Sequence, residues 1–120
     1  MPTAQVTMRE HRRITAGPSP SIAASGQWDT DLAVKVFDTT VISVFVRASV
    51  AGKFTVELWQ DAARTNAIRF RQTDITDAQF SSAVRVPVHL PEGNLYLRII
   101  NNHTAAVTFQ EIELLVEVAA

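Results

Sequence analysis

Cysteine is absent from this chain, and glycine and aromatic residues are scarce. The 120 residues include 4 glycines, 2 tryptophans and 1 tyrosine. Without cysteine there are no disulfides and no thiolate metal ligands, so packing alone must stabilise the folded state. A chain of this length buries roughly two thirds of the surface that it exposes when unfolded. The sequence therefore predicts one domain with one core.

Long apolar runs and an excess of one charge are also lacking. No stretch approaches the ~20 apolar residues of a membrane span. The first residues, MPTAQVTMREHRRITAG, are too interrupted by charge for a signal-peptide core. The 11 basic and 12 acidic residues leave a net charge of -1, which is too balanced to indicate a polyanionic partner. We therefore expect neither membrane nor nucleic acid as a partner, and we expect export, if it occurs, by lysis, by a dedicated apparatus or within a particle.

The first 26 residues differ in composition from the rest. Their arginines outnumber the single Glu10 and give a net charge of +2, and the following stretch AGPSPSIAASG is broken twice by proline. Such a composition is typical of an arm or linker. The remaining residues carry a net charge of -3 and most of the large apolar side chains. We predict an N-terminal arm over residues 1–26 and a folded domain over residues 27–120, with arm contacts to an acidic neighbour through Arg9, Arg12 and Arg13.

From residue 32 onward, apolar and polar residues alternate with a period of two, which is the pattern of β-strands with one buried face. Turn residues interrupt the pattern at 51–53 and at 91–94. Phe45 breaks the polar face of its segment, so it is either covered by the arm or exposed as a contact. The residues predicted to face inward are Ile42, Val44, Val46, Ala48, Val50, Phe54, Val56, Leu58, Ile68, Phe70, Val84, Val86, Val88, Leu90, Leu95, Leu97 and Ile99.

Two irregularities are predicted within the strands. Pro87 cannot donate a hydrogen bond within a sheet, which places its strand at an edge or at a bulge. In the last strand the inward positions change from odd at Phe109 to even at Ile112, and an extra residue near 110–111 would reconcile them as a β-bulge. About eight short strands, with no helix longer than a turn, predict an all-β fold: an antiparallel β-sandwich, in the form of a jelly roll, with an extended N-terminal arm.

Residues that could support catalysis or bind a metal form no recognised pattern. The histidines lack metal-ligand spacing, and the serines have neither a glycine elbow nor a neighbouring base. Asp74 and Asp77 either cap a helical turn, which is the commoner use, or offer oxygen ligands to a cation. The sequence therefore predicts a protein that is not an enzyme and has no metal and no cofactor. The other residues considered were His11, His89, His103, Ser43, Ser81, Ser82, Glu111, Glu113 and Glu117.

Three stretches follow one another in the second half of the chain: AGKFTVELW, FSSAVRVPVHLPEGNLYLRIINN and VTFQEIELLVEV. Over about residues 51–118 they resemble the second half of carbohydrate-binding modules of the galactose-binding-like jelly-roll type. The resemblance implies a jelly roll. It also implies a sugar site in which a loop asparagine acts with aromatic rings on neighbouring loops, here Asn101 or Asn102 with Trp59 or Trp28.

Each tryptophan has two interpretations. A ring on the outer face of a sheet can stack on a sugar or anchor a protein contact. Alternatively, Trp28 fastens the arm to the sandwich and Trp59 packs under a loop.

Two functional hypotheses follow. The first, which we prefer, is a structural or assembly protein, such as a decoration, head or tail component of a bacteriophage-like virion. It would contact copies of itself or neighbouring proteins through the arm and the sheet edges, as a homo-oligomer in a virion or another assembled particle. The second is a carbohydrate-binding module that recognises a glycan through outer-face aromatic residues and a loop asparagine. The candidate contact residues are Trp59, Trp28, Asn101, Asn102 and Phe45.

Overall fold

Nine β-strands make up the regular structure of the computed structural model, which describes residues 9–33, 39–66, 68–88 and 94–119. Within those ranges there is no helix, and so none that could cross a membrane. The strands are β1 (Arg9–Thr15), β2 (Ser21–Ile22), β3 (Gln27–Ala33), β4 (Thr39–Ala48), β5 (Phe54–Trp59), β6 (Ile68–Ile75), β7 (Gln79–Val88), β8 (Asn94–Asn101) and β9 (Val107–Ala119).

The strands form two antiparallel sheets. The five-stranded sheet has the order β1-β9-β4-β7, with β2 also paired to β9, and the four-stranded sheet has the order β3-β8-β5-β6. Most strands that follow one another in the chain, such as β3 and β4 or β8 and β9, lie in opposite sheets. This arrangement confirms the predicted all-β sandwich of the jelly-roll type.

The core lies between the two sheets and is built from the alternating residues of their inner faces. The pattern predicted for β5 and β8 is confirmed, because each of its inward positions is buried. The rings of Phe54 and Phe109, from opposite sheets, meet edge to face with centroids 5.1 Å apart and an interplanar angle of 63°. The fully buried large side chains are Phe54, Phe109, Leu58, Leu95, Leu97, Ile99, Ile112, Leu114, Val41, Val44, Val46 and Val56.

The bulge predicted in the last strand is confirmed. Along β9, the register with β4 passes from Arg47 opposite Glu111 to Ala48 opposite Phe109. Gln110 is therefore the extra residue, and it brings both the odd positions before it and the even positions after it into the core.

Two of the inward positions predicted in and after β4 are wrong, and a second bulge explains one of them. Val41 lies opposite Val116 and Ser43 lies opposite Leu115, so Ile42 is the extra residue. Val41 is consequently buried while Ile42 is only half-buried. Val50 was also expected inside, but β4 ends at Ala48, and Val50 is 46 % exposed.

The strand β6 is longer than its sequence pattern predicts, and the structure departs from the prediction at both ends of the strand. Ile68 lies opposite Trp59, whose side chain faces outward, and is 38 % exposed rather than buried. Phe70 lies opposite Leu58 and packs against the core as predicted. The strand continues to Ile75, so the helical turn expected around Asp74 is absent from this described segment.

The strand that contains Pro87 lies at an edge, as predicted. Among the described residues β7 pairs only with β4, and Pro87 lies opposite Thr40. Several predictions fall outside the described residues: the strand positions at 34–38, the turn at 91–93, the residues His89 and Leu90, and the side chains of Arg9, Val84, Val86 and Val88.

The N-terminal segment lies along β9 from the first residue described. β1 pairs with β9 from Arg9 opposite Ala119 to Thr15 opposite Glu113. β2 pairs with the start of β9, and Ile22 belongs to the core. Over residues 9–22 the segment expected to be an arm therefore contributes strands to the sandwich; the boundary at residue 26 stays a prediction.

Candidate functional site

A groove of about 400 Å³ lies on the outer face of the five-stranded sheet. After the bulge, odd-numbered residues of β9 face outward and form its floor, between β1 and β4. In this register Glu113 lies opposite Phe45 and Leu115 lies opposite Ser43. The groove therefore combines apolar and charged side chains. Its lining residues are Arg13, Ser43, Phe45, Glu111, Glu113 and Leu115.

The carboxylates of the groove are paired with cations. Arg47 Nη2 lies 2.6 Å from Glu111 Oε1, and Arg13 Nη1 lies 4.0 Å from Glu113 Oε2. The next outward carboxylate of β9, Glu117, faces His11 Nε2 at 3.8 Å. These glutamates were expected on a solvated face. They do face outward, but His11, Arg13 and Arg47 on the neighbouring strands partly shield them.

One nitrogen of the Arg47 side chain donates no hydrogen bond to the described residues. Its Nε is shielded from solvent and has no acceptor among the described residues, although Nη2 of the same guanidinium binds Glu111. Arg47 and Phe45 lie two residues apart in β4, so their side chains share the outer face of the strand. This donor lies on the same face as the groove but is closed to solvent, so the observed arrangement does not present it to a ligand.

Phe45 lies half-buried in the groove wall. The sequence left open whether the arm covers this ring or leaves it as a contact. The structure places Arg13 of β1 in the opposite wall, and the groove stays open between them. Among the aromatic candidates, Phe45 is thus the one that faces an open cavity in the described structure.

Trp59 lies at the end of β5 on the outer face of the other sheet and is only 6 % exposed. Its indole Nε1 donates to Glu57 Oε1 at 3.3 Å, and the Arg71 guanidinium lies 5.8 Å from the ring centroid. The same carboxyl group accepts from Arg71 Nε at 2.6 Å. A sugar cannot stack on this ring in the observed arrangement, because the ring is already covered.

Trp28 faces the interior of the sandwich. It lies opposite Ile99, a fully buried core residue, and packs against the core. That Trp28 fastens the N-terminal part of the chain to the sandwich stays a prediction.

The two asparagines of the loop after β8 have opposite environments. Asn101 is fully buried, and its amide nitrogen donates to the carbonyl oxygens of Ile22 at 2.9 Å, Ala23 at 3.2 Å and Ala105 at 2.9 Å. Its Oδ1 accepts from the His103 N–H at 2.9 Å. All its polar groups thus bind the protein's own backbone. Asn102 is exposed, and its Oδ1 accepts from the Thr55 hydroxyl at 2.8 Å.

Sequence reasoning missed Arg64, which covers the outer face of the four-stranded sheet. It adopts φ 56° and is 8 % exposed. Its guanidinium donates to the carbonyl oxygens of Thr30 and Leu97 at 3.0 and 3.3 Å and lies 5.4 Å from the Tyr96 ring centroid. The loop around Arg64 carries no periodic pattern, and no other sequence signal could have found this contact.

Asp29 forms an ion pair with Arg98 on that face. Arg98 donates to its two carboxylate oxygens at 2.9 and 3.1 Å. This hydrogen bond lowers the pKa of Asp29; burial opposes the shift, and the charges of Arg64 and Arg98 reinforce it. The same hydrogen bond raises the pKa of Arg98.

Because the folded state lowers the pKa of Asp29, its ion pair stabilises the protein above the unfolded pKa of about 3.9 and is lost as the pH falls through the lowered value. We expect Asp29→Asn to lower the melting temperature at pH 6, and the difference from the unmodified protein to shrink towards pH 2. Thermal unfolding followed by circular dichroism across this range measures it. The exposed Asp77→Asn serves as the control; a difference for Asp29→Asn that stays constant with pH would contradict the assignment.

No metal centre is evident in the described ranges. They contain no group of three or more His, Cys, Asp or Glu side chains that could hold a metal ion. Asp74 lies within β6 with φ 55°, and Asp77 is exposed between β6 and β7. The capping role expected for Asp74 is therefore wrong, because the residue belongs to a strand.

Comparison with known proteins shows the fold. No family model and no curated protein matches the chain. Among solved structures, a chain described under "Bacillus endospore appendages form a novel family of disulfide-linked pili" is 15% identical, with 98% of this chain and 91% of that one covered and a TM-score of 0.51. The carbohydrate-binding module CBM36, in complex with calcium and xylotriose, is 12% identical, with 87% and 98% covered and a TM-score of 0.49. A module of Cellvibrio mixtus lichenase 5A, in complex with cellotriose, is 9% identical, with 86% and 95% covered and a TM-score of 0.45.

These likenesses concern architecture. Carbohydrate-binding modules are among the structures that resemble this chain, as the sequence resemblance implied. The pilus protein is described as disulfide-linked, whereas this chain contains no cysteine. A shared sandwich does not by itself assign a function.

Proposed function

We propose that this protein is a non-catalytic structural subunit that assembles with copies of itself by exchanging β1. The observation that supports this function is the position of β1 at the edge of the five-stranded sheet. Among the described strands it pairs with β9 alone, through seven residues in register. An edge strand that is held by one neighbour can be replaced by the same strand of a second copy.

Two outward-facing side chains of β1 add little to its attachment. His11 and Arg13 are 60% and 75% exposed, and their contacts with β9 glutamates are 3.8 and 4.0 Å long. Exposed ion pairs of this kind contribute about 0–1 kcal/mol. Among the side chains of β1 that the structure describes, Ile14 packs against the core. Exchange restores these contacts, because β1 of a second copy can take the same register on β9.

The proposal extends to location. A subunit joined to its neighbours by exchanged strands suits an assembled particle. As in the hypothesis drawn from the sequence, we propose that the particle is a bacteriophage-like virion and that this protein is a decoration, head or tail component of it. The partners are then copies of this chain and neighbouring proteins of the particle. Exchange joins subunits either in a closed ring or in an open chain, depending on the rotation between them.

A glycan-binding function is the second candidate, and one observation favours it. The half-buried ring of Phe45 faces an open groove, whereas Trp59 and Asn101 are buried and Trp28 packs against the core. Asn102 is the loop candidate that remains exposed. Among the candidate residues that the structure describes, Phe45 and Asn102 are therefore the ones open to a glycan.

Engineered cysteines test strand exchange directly. His11 and Glu117 lie opposite each other in β1 and β9, at a Cα separation of about 4.5–5.5 Å that a disulfide can bridge. Because the chain has no cysteine of its own, the two introduced thiols are the only ones in the variant with His11→Cys and Glu117→Cys, and the single variants His11→Cys and Glu117→Cys report any disulfide that forms by chance contact between like residues of two copies. We expect oxidation to give intrachain disulfides in dilute samples and covalent oligomers in concentrated ones, as seen by non-reducing electrophoresis.

The matched control is a second pair of opposing residues on strands that are not exchanged. Asp29 and Arg98 lie opposite each other in β3 and β8, so Asp29→Cys with Arg98→Cys should give intrachain disulfides at every concentration. If the β1 pair behaves in the same way as this control, and light scattering shows a monomer throughout, strand exchange is wrong.

A further inference from the structure

The groove on the outer face of the five-stranded sheet is left unused by the pairing of β1 with β9. We infer that this groove binds an uncharged oligosaccharide, with one sugar ring against Phe45. This inference does not depend on strand exchange between subunits.

The charges around the groove favour an uncharged ligand. Arg13 faces Glu113 and Arg47 faces Glu111, so the two cations balance the two carboxylates. An anionic or cationic ligand would meet one attractive and one repulsive partner in each pair, so its charge would gain little net attraction in the groove. A hydroxyl group, in contrast, can donate to a carboxylate that is already paired, because each carboxylate offers about four lone-pair sites.

The shape of the lining suits a sugar more than an apolar ligand. Phe45 and Leu115 provide an apolar strip, and Ser43 and the two ion pairs border it. A pyranose has apolar C–H faces and a rim of hydroxyls, and so matches both parts. An apolar peptide would cover the charged groups without offering them hydrogen bonds, which is costly. The volume of about 400 Å³ lies within the roughly 300–1,000 Å³ usual for small-molecule sites.

The test is a titration of the full-length ¹⁵N-labelled protein with neutral trisaccharides of glucose, mannose, galactose and N-acetylglucosamine, up to about 10 mM. We expect at least one of them to shift the amide signals of Phe45, Glu111 and Glu113. Phe45→Tyr keeps a flat ring and should retain binding. Phe45→Leu keeps apolar volume without the ring, and should weaken binding roughly fivefold to tenfold.

Three results would overturn the inference: no shift with any of the trisaccharides, shifts confined to the loop around Asn102, or equal affinity in the Phe45→Tyr and Phe45→Leu variants. An acidic trisaccharide of galacturonate that binds more tightly than every neutral sugar would overturn the assignment of an uncharged ligand. The spectra of the two variants without sugar show whether each is folded. The oxidation experiment on β1 gives its result separately, so failure of one proposal is distinguishable from failure of the other.

Discussion

Replacing Asn101 with aspartate is expected to lower the free energy of unfolding by about 3–5 kcal/mol, although the two side chains have nearly the same shape. The amide nitrogen of Asn101 donates to three backbone carbonyl groups: that of Ile22 at the end of β2, that of Ala23 in the turn after it and that of Ala105 in the loop before β9. An aspartate oxygen has no proton to donate at neutral pH. The substitution would therefore leave these carbonyls without their donor and place a negative charge, fully buried, beside them.

The neighbouring asparagine provides the control for this substitution. Asn102 is exposed and makes its side-chain contact by accepting from Thr55, which an aspartate can also do. We expect Asn102→Asp to change the free energy of unfolding by less than about 0.5 kcal/mol. Urea unfolding followed by circular dichroism measures both variants. Equal effects of the two substitutions would mean that the network of Asn101 does not stabilise the fold.

Truncation of Phe109 to alanine is expected to have an effect of similar size, about 3–5 kcal/mol. The ring is fully buried between the sheets and meets the ring of Phe54 edge to face. Its removal leaves a cavity that the surrounding strands, fixed by their hydrogen bonds, can close only in part. The edge-to-face contact between the rings is lost as well.

Phe45, in the same sheet, provides the control that distinguishes the effect of burial from the effect of losing a phenylalanine. Phe45→Ala removes a ring from the half-buried wall of the groove, where water already reaches. We expect a loss of about 1 kcal/mol or less, because much less apolar surface leaves the interior. Chemical unfolding of both variants gives the comparison. If Phe109→Ala proved no more destabilising than Phe45→Ala, the position of the core between the sheets would be wrong.

The strands that were predicted correctly are those whose sequence of apolar and polar residues allows only one interpretation. In β9 the change of parity between Phe109 and Ile112 requires an extra residue, and Gln110 is that residue. In β4 the run VISVFV is apolar at both odd and even positions, so the pattern contains no mark of the bulge at Ile42. Hydrophobic alternation reveals a bulge only where polar residues define the opposite face.

The candidate site was less predictable because it depends on contacts between distant strands. Asn101 and Asn102 are adjacent and chemically identical in the sequence, yet one is buried and the other exposed. Which of them turns inward depends on the three carbonyl groups supplied by other parts of the chain. The groove likewise needs β1 and β4 on either side of β9, an order that no local pattern encodes.

Arg13 belongs to β1 and also forms one wall of the groove. If β1 is exchanged, each groove takes this arginine from one subunit and the other lining residues from its neighbour. A bound sugar would then touch two subunits. The isolated subunit already has the complete groove, because its own β1 supplies Arg13, so the sugar has equal affinity for the closed subunit and the exchanged assembly and favours neither. It would oppose the open form, in which β1 is released and the groove lacks Arg13. The ligand would therefore slow the interconversion of subunit and particle without changing which of them predominates.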